Sequence, residues 1–163
     1  MEPHTRLPVA RPIDASMLMP KGLSDAEYLA AFKSAFDNQP VFTDVTGDTL
    51  LINDDFFRAI DGTGKVQKRG REQFIKLIAL AIQSPDEIWM LEGFHVALQK
   101  NMLRRRYIAR FLVDGDPKPV LAVLELDGKT WTGVTGYQAE ADSYDAAMLV
   151  NARIGERVYA RVK

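Results

Sequence analysis

The chain has no cysteine among its 163 residues. Disulfide scaffolds and thiolate metal sites are therefore excluded. Histidine is nearly as scarce. His4 lies near the start, and His95 follows Gly93-Phe94 with no partner in sequence, so acid–base catalysis by a pair of histidines lacks its parts. No apolar run reaches the about 18 residues that a membrane helix needs. Met1 to Pro12 is polar and proline-bearing, without the apolar core of a secretory signal. A chain that is neither exported nor membrane-bound is the expectation. Phosphate-loop and dinucleotide glycine motifs are missing, as is any zinc-type ligand spacing. Asp44, Asp48, Asp54 and Asp55 are close in sequence, but they fall where aspartate serves turns and helix caps. No metal and no cofactor is expected.

What is present is charge, unevenly spread. The net charge of −1 is the sum of an acidic first part, a basic centre and a mildly acidic end. Residues 65–110 carry 10 Lys/Arg against 4 Asp/Glu, whereas residues 1–64 carry 5 against 10. A near-neutral protein with its cations gathered in one region can present a local anion-binding surface. The plainer alternative is a set of solvated charged faces.

Prolines at 3, 8, 12 and 20 mark residues 1–22 as an extended arm or linker, with one domain over 23–163. So linker-like a start suits a piece of a longer protein. Ser24-Asp25-Ala26-Glu27 is a capping box, and Tyr28, Leu29, Phe32 and Phe36 follow at helical spacing, which predicts a helix over 24–37. Val41-Phe42-Thr43 and Leu50-Leu51-Ile52 flank Thr46-Gly47-Asp48 as a small hairpin. Asn53-Asp54-Asp55 caps a short turn carrying Phe56 and Phe57, and Gly62 and Gly64 mark a loop. A second helix is predicted over 69–83, with Phe74, Leu77, Ile78, Ala81 and Ile82 as its apolar stripe. Strands are expected over 87–91, 105–113, 120–126 and 129–137. Residues 114–119 are read as a loop, and Asp127-Gly128 as a tight turn. The tail reads either as a helix within 144–162 or, around Val158-Tyr159, as a last strand. The predicted fold class is α+β: N-terminal helices followed by a roughly four-stranded antiparallel sheet with helices on one face.

Two basic clusters stand out. Lys68-Arg69-Gly70-Arg71 opens the second predicted helix, where unpaired N–H groups favour phosphate. Cations at that end are unfavourable unless an anion is bound. Arg104-Arg105-Arg106-Tyr107 begins a strand, so Arg105 and Tyr107 share one face and Arg104 and Arg106 the other. If Asp127-Gly128 is a two-residue turn, Arg105, Tyr107, Trp131, Thr135 and Tyr137 fall on one face, a surface suited to phosphate and stacked bases. A one-residue slip would reverse part of that set.

Several short motifs carry a family resemblance. They are Val41-Phe42-Thr43-Asp44-Val45 with Gly47 and Ile52, Lys68-Arg69-Gly70-Arg71, Ser84-Pro85-Asp86-Glu87-Ile88-Trp89, Arg105-Arg106-Tyr107, Ala122-Val123 and Gly133-Val134-Thr135. In this order the chain resembles the phage-borne branch of the Barnase–EndoU–colicin–RelE-like nucleases, found at the C-terminus of Mu-like phage and prophage minor head (head morphogenesis) proteins. The stretch from Leu7-Pro8 to Leu23-Ser24-Asp25-Ala26-Glu27-Tyr28-Leu29 resembles the segment that precedes that domain. The resemblance implies metal-independent cleavage of RNA, often tRNA in related toxins, within the bacterial cytoplasm or the phage head. RNA and phage head components are the implied partners. Carried over by position, it points to Lys68, Arg71, Arg105, Arg106, Tyr107 and Thr135 as catalytic, and Arg69, Trp89 and Tyr137 are expected to bind substrate. Glu87 and Lys68 are the candidates for a general base. The alternatives are a non-catalytic module that binds nucleic acid or capsid components, and a pure protein-interaction domain.

Overall fold

The computed structural model describes residues 7–57, 68–96, 98–138 and 151–161. The expected loop at Gly62 and Gly64, the early part of the tail and His4 lie outside them. Eight strands form one sheet: β1 (Arg11–Pro12), β2 (Val41–Thr43), β3 (Thr49–Leu51), β4 (Glu87–His95), β5 (Lys100–Val113), β6 (Asp116–Asp127), β7 (Thr130–Gln138) and β8 (Glu156–Ala160). Seven run in the order β2-β3-β7-β6-β5-β4-β8, and the short β1 pairs in parallel with the end of β5. The class is α+β as expected, but two expectations need correction. The sheet is larger than four strands. The helices are not gathered at the N-terminus, because α1 (Asp25–Ser34) and α2 (Ile75–Gln83) alternate with β1, β2 and β3 before the meander. The hairpin of β2 and β3 was expected, and the added lanes come from its joining the sheet through β3 and β7, from the two-residue β1 and from β8, long-range pairings that no local period shows.

α1 begins as its sequence dictates. Ser24 Oγ accepts from Glu27 N and Glu27 Oε1 accepts from Ser24 N, at 3.2 and 3.1 Å. Tyr28 and Phe32 are fully buried, and Tyr28 donates its hydroxyl to Pro20 O at 2.6 Å. The helix stops at Ser34, three residues before the expected end, and Asp37 and Asn38 then take left-handed backbone at φ 56° and 57°. The second helix divides. Residues 68–74 form a 3-10 helix, and only Ile75–Gln83 is α-helical, with six of its nine residues buried. Phe32, Phe36, Phe42, Phe56 and Phe57 join in edge-to-face and tilted pairs 5.0 to 6.4 Å apart. With α2 they cover one face of the sheet, made by Ile88, Tyr107, Ala109, Phe111, Ala122, Leu124 and Trp131. Ile13, Met17, Leu18 and Met19 also pack against this core.

The meander differs from expectation at both turns. β5 and β6 join through the two residues Asp114 and Gly115, both left-handed, where a six-residue loop was expected. β6 and β7 turn through Gly128 and Lys129, one residue later than predicted, with Asp127 opposite Thr130. A register irregularity at Val123/Leu124 then pairs Val123 with Thr135 but Leu124 with Gly133. The tail ends as a strand, since β8 pairs antiparallel with β4.

Candidate functional site

The bulge in β7, where Val134 is the extra residue between Gly133 and Thr135, decides which predicted residues meet. Arg105, Tyr107 and Trp131 do share a face, with the Arg105 guanidinium 4.5 Å from the Trp131 ring centre. Thr135 and Tyr137 pair instead with Val123 and Leu121, which belong to the small apolar cluster on the opposite face. One extra residue in a strand inverts the alternation beyond it, so the expected five-residue face is split.

The face that holds Arg105 is the packed one. Arg105 reaches Asp44 Oδ2 at 3.2 Å, Asp48 Oδ2 at 2.6 Å and Thr46 Oγ1 at 3.2 Å. Tyr107 is fully buried and donates its hydroxyl to Asp44 Oδ2. Burial pushes the Asp44 carboxyl up. Hydrogen bonds from the Thr46 hydroxyl, Tyr107 and the N–H groups of Asp48 and Thr46 outweigh it and hold the group below its ordinary value. Burial first, then donation to Asp44, raises the Tyr107 phenol far above its usual range. This cluster ties the β2–β3 turn to β5, with Asp44 and Tyr107 wholly within the packed face.

The helix-start site for phosphate is also displaced. Lys68, Arg69, Gly70 and Arg71 lie in the 3-10 segment, and α2 itself begins at Ile75. Gly70 is a poor helix former, consistent with a late start. Arg71 is buried.

The other face gathers a different set. Trp89, Ile108, Leu121, Val123 and Ala152 form its apolar centre. Alternation along β5 places Arg104, Arg106 and Arg110 on this side with Ile108. Arg106 sits in register between Trp89 and Val123. Arg104 Nε meets Glu125 Oε2 at 2.6 Å. At the start of β4, Glu87 is held by three side chains. Arg153 contributes Nε at 2.6 Å to Oε1 and a terminal nitrogen at 3.0 Å to Oε2. Trp89 donates Nε1 to Oε1 at 3.0 Å, and Arg157 reaches Oε2 at 3.3 Å. The Arg153 side chain is 1% exposed and lies 5.5 Å from the Trp89 ring centre, whereas Arg157 is 28% exposed. Next to Glu87, Asp86 accepts from Arg110 N at 2.8 Å and pairs with Arg11 Nε at 3.0 Å.

Sequence reasoning singled out Glu87 and Trp89 but missed Arg153 and Arg157. They lie in a tail with no clear period, 66 and 70 residues from their partner. Their only signal was two arginines four apart. Among the described residues, no three His, Cys, Asp or Glu side chains are grouped so as to hold a metal ion. No helix among them is long and apolar enough to cross a membrane.

A carboxylate clamped by arginines at the edge of a mixed sheet, with further arginines along the neighbouring strand, is an arrangement able to bind and polarise phosphate. The family model described as phage-Barnase-EndoU-ColicinE5/D-RelE like nuclease2 matches residues 27–160, and the chain belongs to that family. No curated protein and no solved structure matches it.

Proposed function

We propose that this protein is a metal-independent endoribonuclease, tRNA being among its substrates, whose centre is the Glu87–Arg153–Arg157 cluster. The observation that carries the reading is the geometry at Glu87, in a chain of a nuclease family. Arg153 is buried and bidentate, whereas Arg157 is partly exposed and makes one longer contact. An incoming phosphate competes with Glu87 for Arg157. When it takes Arg157, Glu87 Oε2 keeps only its contact from Arg153, and its other lone pair becomes the proton acceptor. The ribose 2′-oxygen then attacks its own phosphorus and its proton passes to Oε2. The bond from phosphorus to the 5′-oxygen breaks, leaving a 2′,3′-cyclic phosphate and a 5′-hydroxyl that takes a proton from solvent. Arg157 and Arg106 stabilise the phosphoryl charge. Thr135 and Tyr137 hold register positions on the same face, while Arg104, Lys68 and Arg69 are assigned to the more distant backbone, and the buried Arg71 has no part in binding. Arg105 and Tyr107 leave the catalytic set, because their groups are spent on Asp44 and Asp48. The pattern from Leu7 to Leu29 supports a place in a Mu-like phage minor head protein.

Cleavage of total tRNA and of a generic single-stranded RNA, with chelator present, tests the reading. Arg157→Ala is expected to lower the rate about 10²-fold with an unchanged melting temperature, and Arg106→Ala to lower it less. Full activity in a folded Arg157→Ala protein overturns the assignment. A saturated Glu87 also suits a second reading, a module that binds nucleic acid without cutting it. Salt-dependent binding with no cleavage by the wild type would favour that one.

A further inference from the structure

A cleft of about 480 Å³ opens where β4 begins and β8 ends. That volume lies within the usual range for small-molecule sites, about 300–1,000 Å³. One wall is the extended segment of residues 7–12, which presents Leu7, Pro8, Val9 and Pro12. The other wall carries Arg157, Ala160 and Arg161, and the floor is Asp86 and Glu87. The apolar wall is held firmly. Arg11 donates to Ser84 Oγ at 3.0 Å and to Ser84 O at 2.5 Å, and pairs with Asp86 at 3.0 Å. Arg110 donates to Pro8 O at 3.0 Å, and Ile13 N to Leu112 O at 3.0 Å.

Charge is in excess at this cleft. Asp86 and Glu87 are bound by four guanidinium groups, those of Arg11, Arg153, Arg157 and Arg161. Arg161 is the loosest, reaching Asp86 Oδ1 only at 3.8 Å with 44% of its side chain exposed. Four cations against two carboxylates leave room for an anion, and an apolar wall opposite suits a flat ring. We infer that the cleft is a nucleotide subsite of single-stranded RNA, with the base against Pro8, Val9 and Pro12 and the phosphate on Arg161. This rests on the ribonuclease reading, since Glu87 and Arg157 belong to both the cleft and the catalytic centre. The phosphate at Arg161 neighbours the one being cut. The wall of residues 7–12 and Arg161 lie outside the 27–160 stretch that the family model matches, whereas Asp86, Glu87, Arg157 and Ala160 lie within it.

Binding is read on the full chain with a fluorescent single-stranded oligoribonucleotide carrying 2′-O-methyl groups, which cannot be cut, and separately with adenosine 5′-monophosphate. Arg161→Ala is expected to weaken oligonucleotide binding about tenfold and to reduce the slope of log K against log salt by about 0.7, the share of one single-strand phosphate. Val9 is 57% exposed, so Val9→Asp should preserve the fold. It is expected to weaken binding of both ligands and to raise KM for RNA without changing kcat. Free monophosphate that binds while the oligonucleotide ignores both substitutions would make the cleft a site for small nucleotides and overturn the RNA assignment. Unchanged affinities in both variants with cleavage intact overturn the subsite alone. Affinities that fall in both variants while the wild type cuts no RNA uphold the subsite and overturn the nuclease reading.

Discussion

Asp44 links the two ends of what sequence can reveal about a single residue. Its place before Thr46-Gly47-Asp48 announces a turn, and the carboxylate does accept from Thr46 N at 2.9 Å and Asp48 N at 3.0 Å. Arg105 and Tyr107, however, arrive from 61 and 63 residues away, and no local pattern foretells them. Their pairing depends on a register set by two hairpins. The Asp44 carboxyl sits below its ordinary value of 3.8 in the folded chain, so below that value the unfolded chain binds more protons. Its stabilising contribution is therefore complete above about pH 5 and is lost as pH falls through the depressed folded value. Asp86, raised above 3.8 chiefly by burial, has the opposite sign: between 3.8 and its folded value, stability falls as pH rises. Denaturant titrations between pH 2 and 6 should show Asp44→Asn with a flatter acid limb than wild type, and Asp86 cannot account for that difference. Equal slopes would mean that Asp44 is not held low. Arg105→Ala, which takes the cation from Asp44 but leaves its bonds from Thr46, Tyr107 and Asp48, should cost about 1–3 kcal/mol in the same titrations.

At the scale of elements, the hairpins were legible and the bulge was not. Asp114-Gly115 and Asp127-Gly128 both mark turns, the first only two residues long where a six-residue loop was expected and the second shifted by one residue. Neither carries a hint that β7 gains an extra residue, Val134, opposite Val123 and Leu124, because valine and threonine there are ordinary strand formers. Gly133 is the trace that could have been read, since a glycine inside a strand often marks a bulge or a close approach. It pairs with Leu124 at the irregularity, and a Cβ there would lie 2.5 Å from Phe56 Cδ2. The absent side chain lets the 3-10 turn of residues 54–57 press its aromatic ring onto β7. Gly133→Ala should therefore cost about 1–3 kcal/mol by overpacking, and Phe56→Leu in the same chain should recover part of it. Thermal unfolding of the three variants measures both effects. An undisturbed Gly133→Ala protein would show that the ring has room to move. The candidate site divides along the same line. Glu87 and Trp89 were visible from their place at a strand start, and the arginines that complete them were hidden in an aperiodic tail.

Over the whole molecule, Asp86 joins segments from both sides of the domain. Arg11, in β1, pairs with it at 3.0 Å, and Arg161, just past β8, approaches the same oxygen at 3.8 Å. Residues 11 and 161 are 150 positions apart in the chain yet share one carboxylate. The segments around residues 11 and 161 are thus neighbours in space. A circular permutant follows from this: residues near 161 joined to residues near 7 by a short glycine-serine linker, with the chain reopened at the exposed turn of Asp114 and Gly115. It should fold with the near-ultraviolet dichroism of the parent and keep the Glu87 cluster, because neither cut nor join touches it. A permutant that stays unfolded would mean that continuity through the β5–β6 turn is needed to form the sheet.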